Sequence, residues 1–216
     1  MKRLFTDVGL IAGKDLKIES RSRVLTNQVA PFALMILVLF GIALDADQQS
    51  LRNFASGLFW ISVLLCSLMA ISRSMTIERD DDALAGLNLS GVDPIAIFLG
   101  KTCAIAIQLL VLEIFLGLGI VLLYRSEIED LWLLVSTGLF ACIAISALGT
   151  IFGFLASGLG VRETLLPILL LPLLLPVLIG ATRAFDDALG VAAVNGWNWF
   201  AFVAGLTIIL TGVGAG

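Results

Sequence analysis

Glu113 stands well inside a long apolar run, residues 96–123, of a chain of 216 residues. A carboxylate at the centre of a membrane helix costs about 2.5 to 3.5 kcal/mol on insertion scales, so it must face protein or water. Gln108 on the same run, or Arg183 beyond a later one, is available as its partner. Either a structural hydrogen bond or a functional role fits that placement. A proton-coupled carrier or an intramembrane enzyme needs paired polar groups within the spans. Glu113 with Gln108 is the nearest approach to such a pair, so that class is set aside.

The absence of histidine removes the usual general base and the commonest metal ligand. Cys66, Cys103 and Cys142 lie inside apolar runs without CxxC spacing and read as small packing residues. Gly100, Lys101 and Thr102 spell the end of a phosphate-binding loop. That loop needs a glycine where this chain has Ile95, and a strand where an apolar helix is beginning. Lys101 is therefore expected to snorkel to the headgroups, and any ATP hydrolysis to occur on another polypeptide.

The largest polar stretch is residues 73–94, RSMTIERDDDALAGLNLSGVDP. Asp80, Asp81 and Asp82 precede Ala83, Leu84 and Leu87, so carboxylates can cap the free N–H groups of a short helix whose first turn favours negative charge. That helix should stop near Ser90 and Gly91. Apolar side chains on it would seat in a partner's groove while polar ones fix the register. A solvated charged loop is the competing reading.

These residues are positioned by membrane-spanning elements. Hydrophobic residues make up 59% of the chain and charged ones 14%, against about 25% charged in globular proteins, and the mean hydropathy is +1.06. The expected fold is an all-α integral membrane domain, residues 1–216, with about six transmembrane helices. The spans fall near 26–44, 54–72, 96–123, 131–157, 165–181 and 197–214, each long enough to cross the hydrocarbon core. A cleaved signal peptide is not expected, because the first apolar run begins too deep for one.

Residues 1–25 form a basic segment. Leu4, Phe5, Val8, Ile11 and Ala12 recur at helical spacing opposite Asp7, Lys14, Lys17 and Arg21, the pattern of an interfacial amphipathic helix. Ten of the thirteen Lys and Arg fall on the side of the N-terminus, residues 73–101 and residues 158–164; Arg52, Arg125 and Arg183 fall on the other. By the positive-inside rule both termini are cytoplasmic. The basic residues form no aromatic-interleaved patch, and with a net charge of -4 nucleic acid is not an expected partner.

Trp132, Trp197 and Trp199 sit at span ends as interfacial anchors, whereas Trp60 lies within a span as packing. Pro167, Pro172 and Pro176 should bend or break the fifth span. Gly149, Gly153 and Ser157 make a small-residue stripe for close helix approach, within the chain or between copies.

The stretches IERDDDALAGLNLSGVDPIAIFLGK and LLPILLLPLLLPVLIGATRA resemble the haem exporter protein B (CcmB-type) family, the ABC-transporter membrane subunit of c-type cytochrome maturation. KDLKIESRSR and WISVLLCSLMAISRSMTIE extend the likeness over nearly the whole chain. The resemblance implies an ABC-2-like permease of the bacterial inner membrane, with no ATP site of its own. It implies a CcmA-type ATPase, CcmC- and CcmD-type membrane subunits and a CcmE-type haem chaperone as partners. On that likeness residues 78–89 are a coupling element. Glu78, Arg79 and Asp80 match its entry, and Asp81, Asp82, Leu84, Leu87 and Leu89 complete it. Gly100 and Lys101 match the opening of the next span. Pro167, Pro172, Pro176 and the outer-face Arg183 match the proline-rich span and its exit. The chain departs from the family in its three successive aspartates and in having almost nothing after the sixth span.

Haem and ATP are expected on partner subunits, with no cofactor on this chain. Without histidine, only Met, Cys or Tyr could ligate haem, and Met35, Met69, Cys66 and Tyr124 do not cluster. Six helices are too few for a complete transporter, so a second copy, or one copy beside another membrane subunit, is expected. A general ABC-2 permease for a drug, lipid or polysaccharide shares this plan and is the alternative.

Overall fold

Hydrocarbon offers no partner to a backbone N–H or C=O, and a helix satisfies both internally. Helices accordingly make up the chain in a computed structural model that describes residues 2–23, 25–43, 47–80, 93–157 and 162–215, with no strand among them. They are α1 (Lys2–Ser22), a π-helical turn (Leu25–Val29), α2 (Ala30–Ala43), α3 (Gln48–Asp80), α4 (Pro94–Tyr124), α5 (Leu131–Ser157), α6 (Arg162–Ala188) and α7 (Gly196–Ala215). Five are long and apolar enough to cross a membrane. The number is six when α1 and α2, bent by 53° at the break between them, are taken as one broken span. The chain is a multi-pass membrane protein.

α5 is the central helix, packed against α3, α4, α6 and α7. Its residues 141, 142 and 144–150 are all buried. Gly149 and Gly153 of the small-residue stripe face within the molecule: a Cβ on Gly149 would lie 2.7 Å from Ile71 Cγ1, and one on Gly153 would lie 2.6 Å from Met75 Sδ. α3 therefore fills the notch that the sequence leaves open to either use. α2 lies against the far half of α4, where Tyr124 Oη donates to the Leu37 carbonyl at 2.7 Å and Gly119 makes room for Leu37.

Two elements outrun their expected bounds. α3 begins at Gln48 because Asp47 caps it, accepting from Ser50 N at 2.9 Å and from Ser50 Oγ at 2.7 Å. It also continues through residues 73–80, past the expected span end at 72, so that Asp80, expected to cap a separate short helix, lies at the end of α3. α6 runs unbroken from Arg162 through Pro167, Pro172 and Pro176 to Ala188. Pro172 and Pro176 are exposed, while Leu170, Leu174, Val177 and Ala181 are buried, so two of the three prolines lie on its outward side. The Ala188 carbonyl is satisfied by Glu129 N at 2.9 Å and Asp130 N at 3.2 Å, which lets α6 outlast its apolar run.

Candidate functional site

Two ends of the bundle differ in chemistry. At one end α3 stops and α4 starts, joined through residues 81–92. Asp93 caps α4 by accepting from Ile95 N at 3.0 Å, with Pro94 at its first position. Glu78, Arg79 and Asp80 fall at the end of α3. Asp81, Asp82, Leu84, Leu87 and Leu89 lie outside the described residues, as does the expected short helix.

The same end carries α1, which packs along α4. Ile11 enters a notch at Gly100, where an added Cβ would meet Ile11 Cβ at 2.8 Å and the Val8 carbonyl at 3.2 Å. Close approach of the two helices brings Asp15 to Lys101 at 3.2 Å. Lys101 is 1% exposed, so the expected snorkelling lysine is instead a buried cation held by an acid of α1. One turn further along α1, Glu19 meets Arg73 of α3 at 3.7 Å. Each of these cations sits about 10 Å from the end of its helix, at 1.5 Å rise per residue. α1 thus braces both arms that carry residues 81–92.

Glu113 is buried at 8% exposure on the α4–α5 contact. Its carboxyl faces the Cys142 thiol. Gly138 leaves the room it occupies, since a Cβ there would lie 2.6 Å from Oε2. Among the described residues Oε1 has no hydrogen-bond partner. The two partners expected for Glu113 are elsewhere: Gln108 is half-buried five residues earlier on α4, and Arg183 lies 3.5 Å from Asp186. The structure brings neither to it.

The opposite end is stitched by polar contacts. Ser56 Oγ of α3 donates to Asp186 of α6. Asp187 Oδ2 accepts from Gly196 N at 2.9 Å and so caps α7. Asp130 Oδ1 accepts from Leu133 N at 3.0 Å and caps α5, and Arg52 pairs with Glu127 at 3.2 Å. Trp132 is 80% exposed here and Trp197 is also exposed, as interfacial anchors should be. Trp60 is buried between Phe59 and Phe185, with ring centroids at 5.3 and 5.0 Å. Among the described residues no group of three or more His, Cys, Asp or Glu side chains is placed to hold a metal ion.

A family model described as CcmB protein matches residues 7–215. The chain belongs to the CcmB family. It is similar to heme exporter protein B of Rhodobacter capsulatus, 31% identical over 184 residues that cover 84% of each chain. Heme exporter protein B of Haemophilus influenzae is 29% identical over 178 residues, covering 82% of this chain and 80% of that one. The protein of the same name from Escherichia coli K12 is 30% identical over 173 residues, covering 77% and 76%. Most of α1 falls within the part matched to the CcmB model, together with every span.

Sequence reasoning on this CcmB-family chain missed Asp15, Glu19 and Arg73 as a set. A signal was present: Asp15 and Glu19 are spaced i, i+4 among cations, so both fall on one side of α1. Asp186 and Ser56 were also missed, and their separation of 130 residues carries no local pattern.

Proposed function

We propose that the chain is the membrane subunit of an ABC transporter complex for c-type cytochrome biogenesis. In it, ATP hydrolysis by a separate CcmA-type ATPase drives haem handling, or release of the haem-loaded CcmE-type chaperone, at the outer face. The observation that carries this is the CcmB match over residues 7–215, joined by relatives named heme exporter protein B.

Helix lengths support a coupling role. α3 has 33 residues and α4 has 31, so they run about 50 Å and about 46 Å, beyond a hydrocarbon core of about 30 Å. The residues 74–80 that close α3 are largely polar, as a segment leaving the lipid should be. Residues 78–89 then form the docking element, with Leu84, Leu87 and Leu89 in the ATPase groove and Glu78, Arg79, Asp80, Asp81 and Asp82 fixing register. Both termini face the cytoplasm of a bacterial inner membrane. The subunit performs no catalysis and binds no haem; CcmC- and CcmD-type subunits handle the haem, beside this chain or a second copy of it. Glu113 supports helix packing or force transfer between α4 and α5, and Pro172 and Pro176 shape the outward side of α6.

The test is purification of the complex in detergent from cells carrying Leu84→Asp or Leu87→Asp. The chain should still insert and fold while the ATPase no longer comes down with it. Undiminished co-purification of the ATPase refutes the coupling assignment. A stoichiometric haem spectrum from the purified lone subunit refutes the haem-free role, and unchanged assembly and activity in Glu113→Leu removes Glu113 from the mechanism.

A further inference from the structure

The two faces of α1 carry opposite charge. Asp15 and Glu19 turn toward the bundle, where Asp15 meets Lys101 at 3.2 Å and Glu19 meets Arg73 at 3.7 Å. Ile11 and Ala12 bury the same side. On the outward side Lys17 and Arg21 are exposed, with Arg23 just past the helix end. Lys14, exposed one turn earlier, borders this stripe and also touches Asp15 at 3.3 Å. Nearer the N-terminus Phe5 is 72% exposed and Leu10 67%. The remaining acid of α1, Asp7, is half-buried beside that apolar part.

An exposed cationic stripe with an apolar side chain beside it fits a negative headgroup at the edge of an acyl layer. We infer that the outward face of α1 is a binding site for anionic phospholipid. Leu10, in line with Lys17 on the helix, takes the edge of the acyl region, and Lys17 and Arg21, flanked by Lys14 and Arg23, take the headgroup phosphate. Charge complementarity selects the anionic lipid: with the nearby carboxylates turned inward, a zwitterionic headgroup leaves the stripe's positive charge unmatched. Each Lys or Arg close to a negative membrane surface strengthens binding about fivefold. Because α1 braces α3 and α4, a lipid held here also sets the position of the arms leading to residues 81–92. That last consequence rests on the coupling role proposed above; the lipid site does not.

The experiment uses the full chain in neutral detergent, titrated with short-chain phosphatidylglycerol and, in parallel, with short-chain phosphatidylcholine, while thermal unfolding is followed. Phosphatidylglycerol should raise the midpoint and phosphatidylcholine should not. In Lys17→Gln/Arg21→Gln the phosphatidylglycerol needed should rise about 25-fold, from two contributions of about fivefold, whereas Arg125→Gln at the other end should change nothing. Amine acylation of the unaltered protein gives a second readout: Lys14 and Lys17 should be protected in phosphatidylglycerol vesicles and modified in phosphatidylcholine vesicles. Equal responses to the two lipids overturn the proposal, as does the same stabilisation by inorganic phosphate, which would assign a bare anion site. Undiminished ATPase co-purification in Leu84→Asp or Leu87→Asp, with lipid selectivity intact, would strike at the coupling role alone.

Discussion

Lys101 owes its burial to an acid brought by another helix, and the energetics follow from that pairing. Removing one partner of a buried pair strands the other charge, which costs about 3 to 5 kcal/mol. Lys101→Met should therefore lower the thermal midpoint in detergent far more than the double variant Lys101→Met/Asp15→Leu, in which no charge is stranded. Glu113 depends on an absent side chain. Gly138→Ala places a Cβ against its carboxyl and should cost about 1 to 3 kcal/mol, the usual range for overpacking. Glu113→Ala in the same chain should recover part of that loss in the unfolding curve. The burial of Glu113 was legible in the sequence, because an acid in an apolar run can hardly face lipid. Its surroundings were not, because a glycine announces nothing about the neighbour it admits, and Lys101 was misplaced because its partner lies 86 residues away.

Helix seams carry the next set of expectations. Gly149 and Gly153 let α3 lie on α5, so Gly153→Val should force Met75 aside and separate the two helices. A disulfide engineered across that seam would then form more slowly, measured by gel shift under oxidation. Asp47 holds the start of α3 through Ser50. The side-chain bond, then the backbone bond, keeps the Asp47 carboxyl below its ordinary value of 3.8. Its stabilising contribution is complete above that ordinary value and is lost as pH falls through the lowered one. Amide exchange over the first turn of α3 should quicken in that acid window in the parent chain and be fast throughout in Asp47→Ala. The four-residue rhythm of small side chains made the α5 seam readable in advance. The true length of α3 was not, since hydropathy marks where lipid ends and a capped helix continues into water.

Across the whole molecule, the three cysteines report on the packing at once. Cys66 and Cys142 are buried and Cys103 is exposed, so a lipid-soluble maleimide should modify Cys103 alone in folded protein and all three after denaturation, read by intact mass. Five of the expected spans return as five long helices, and the count reaches six when α1 and α2 are taken as one broken span. The path of α1 was less visible, because amphipathic spacing shows that a helix has an inner side but not which helix receives it. The rim stitched by Ser56, Asp186, Asp187 and the Ala188 carbonyl has a mechanical meaning. Staves riveted at one hoop swing at the other: a small tilt at the Ser56 rivet becomes a wide sweep at the far tip of α3. A pull of a few ångströms delivered there would return to the stitched rim as torque, with little sliding.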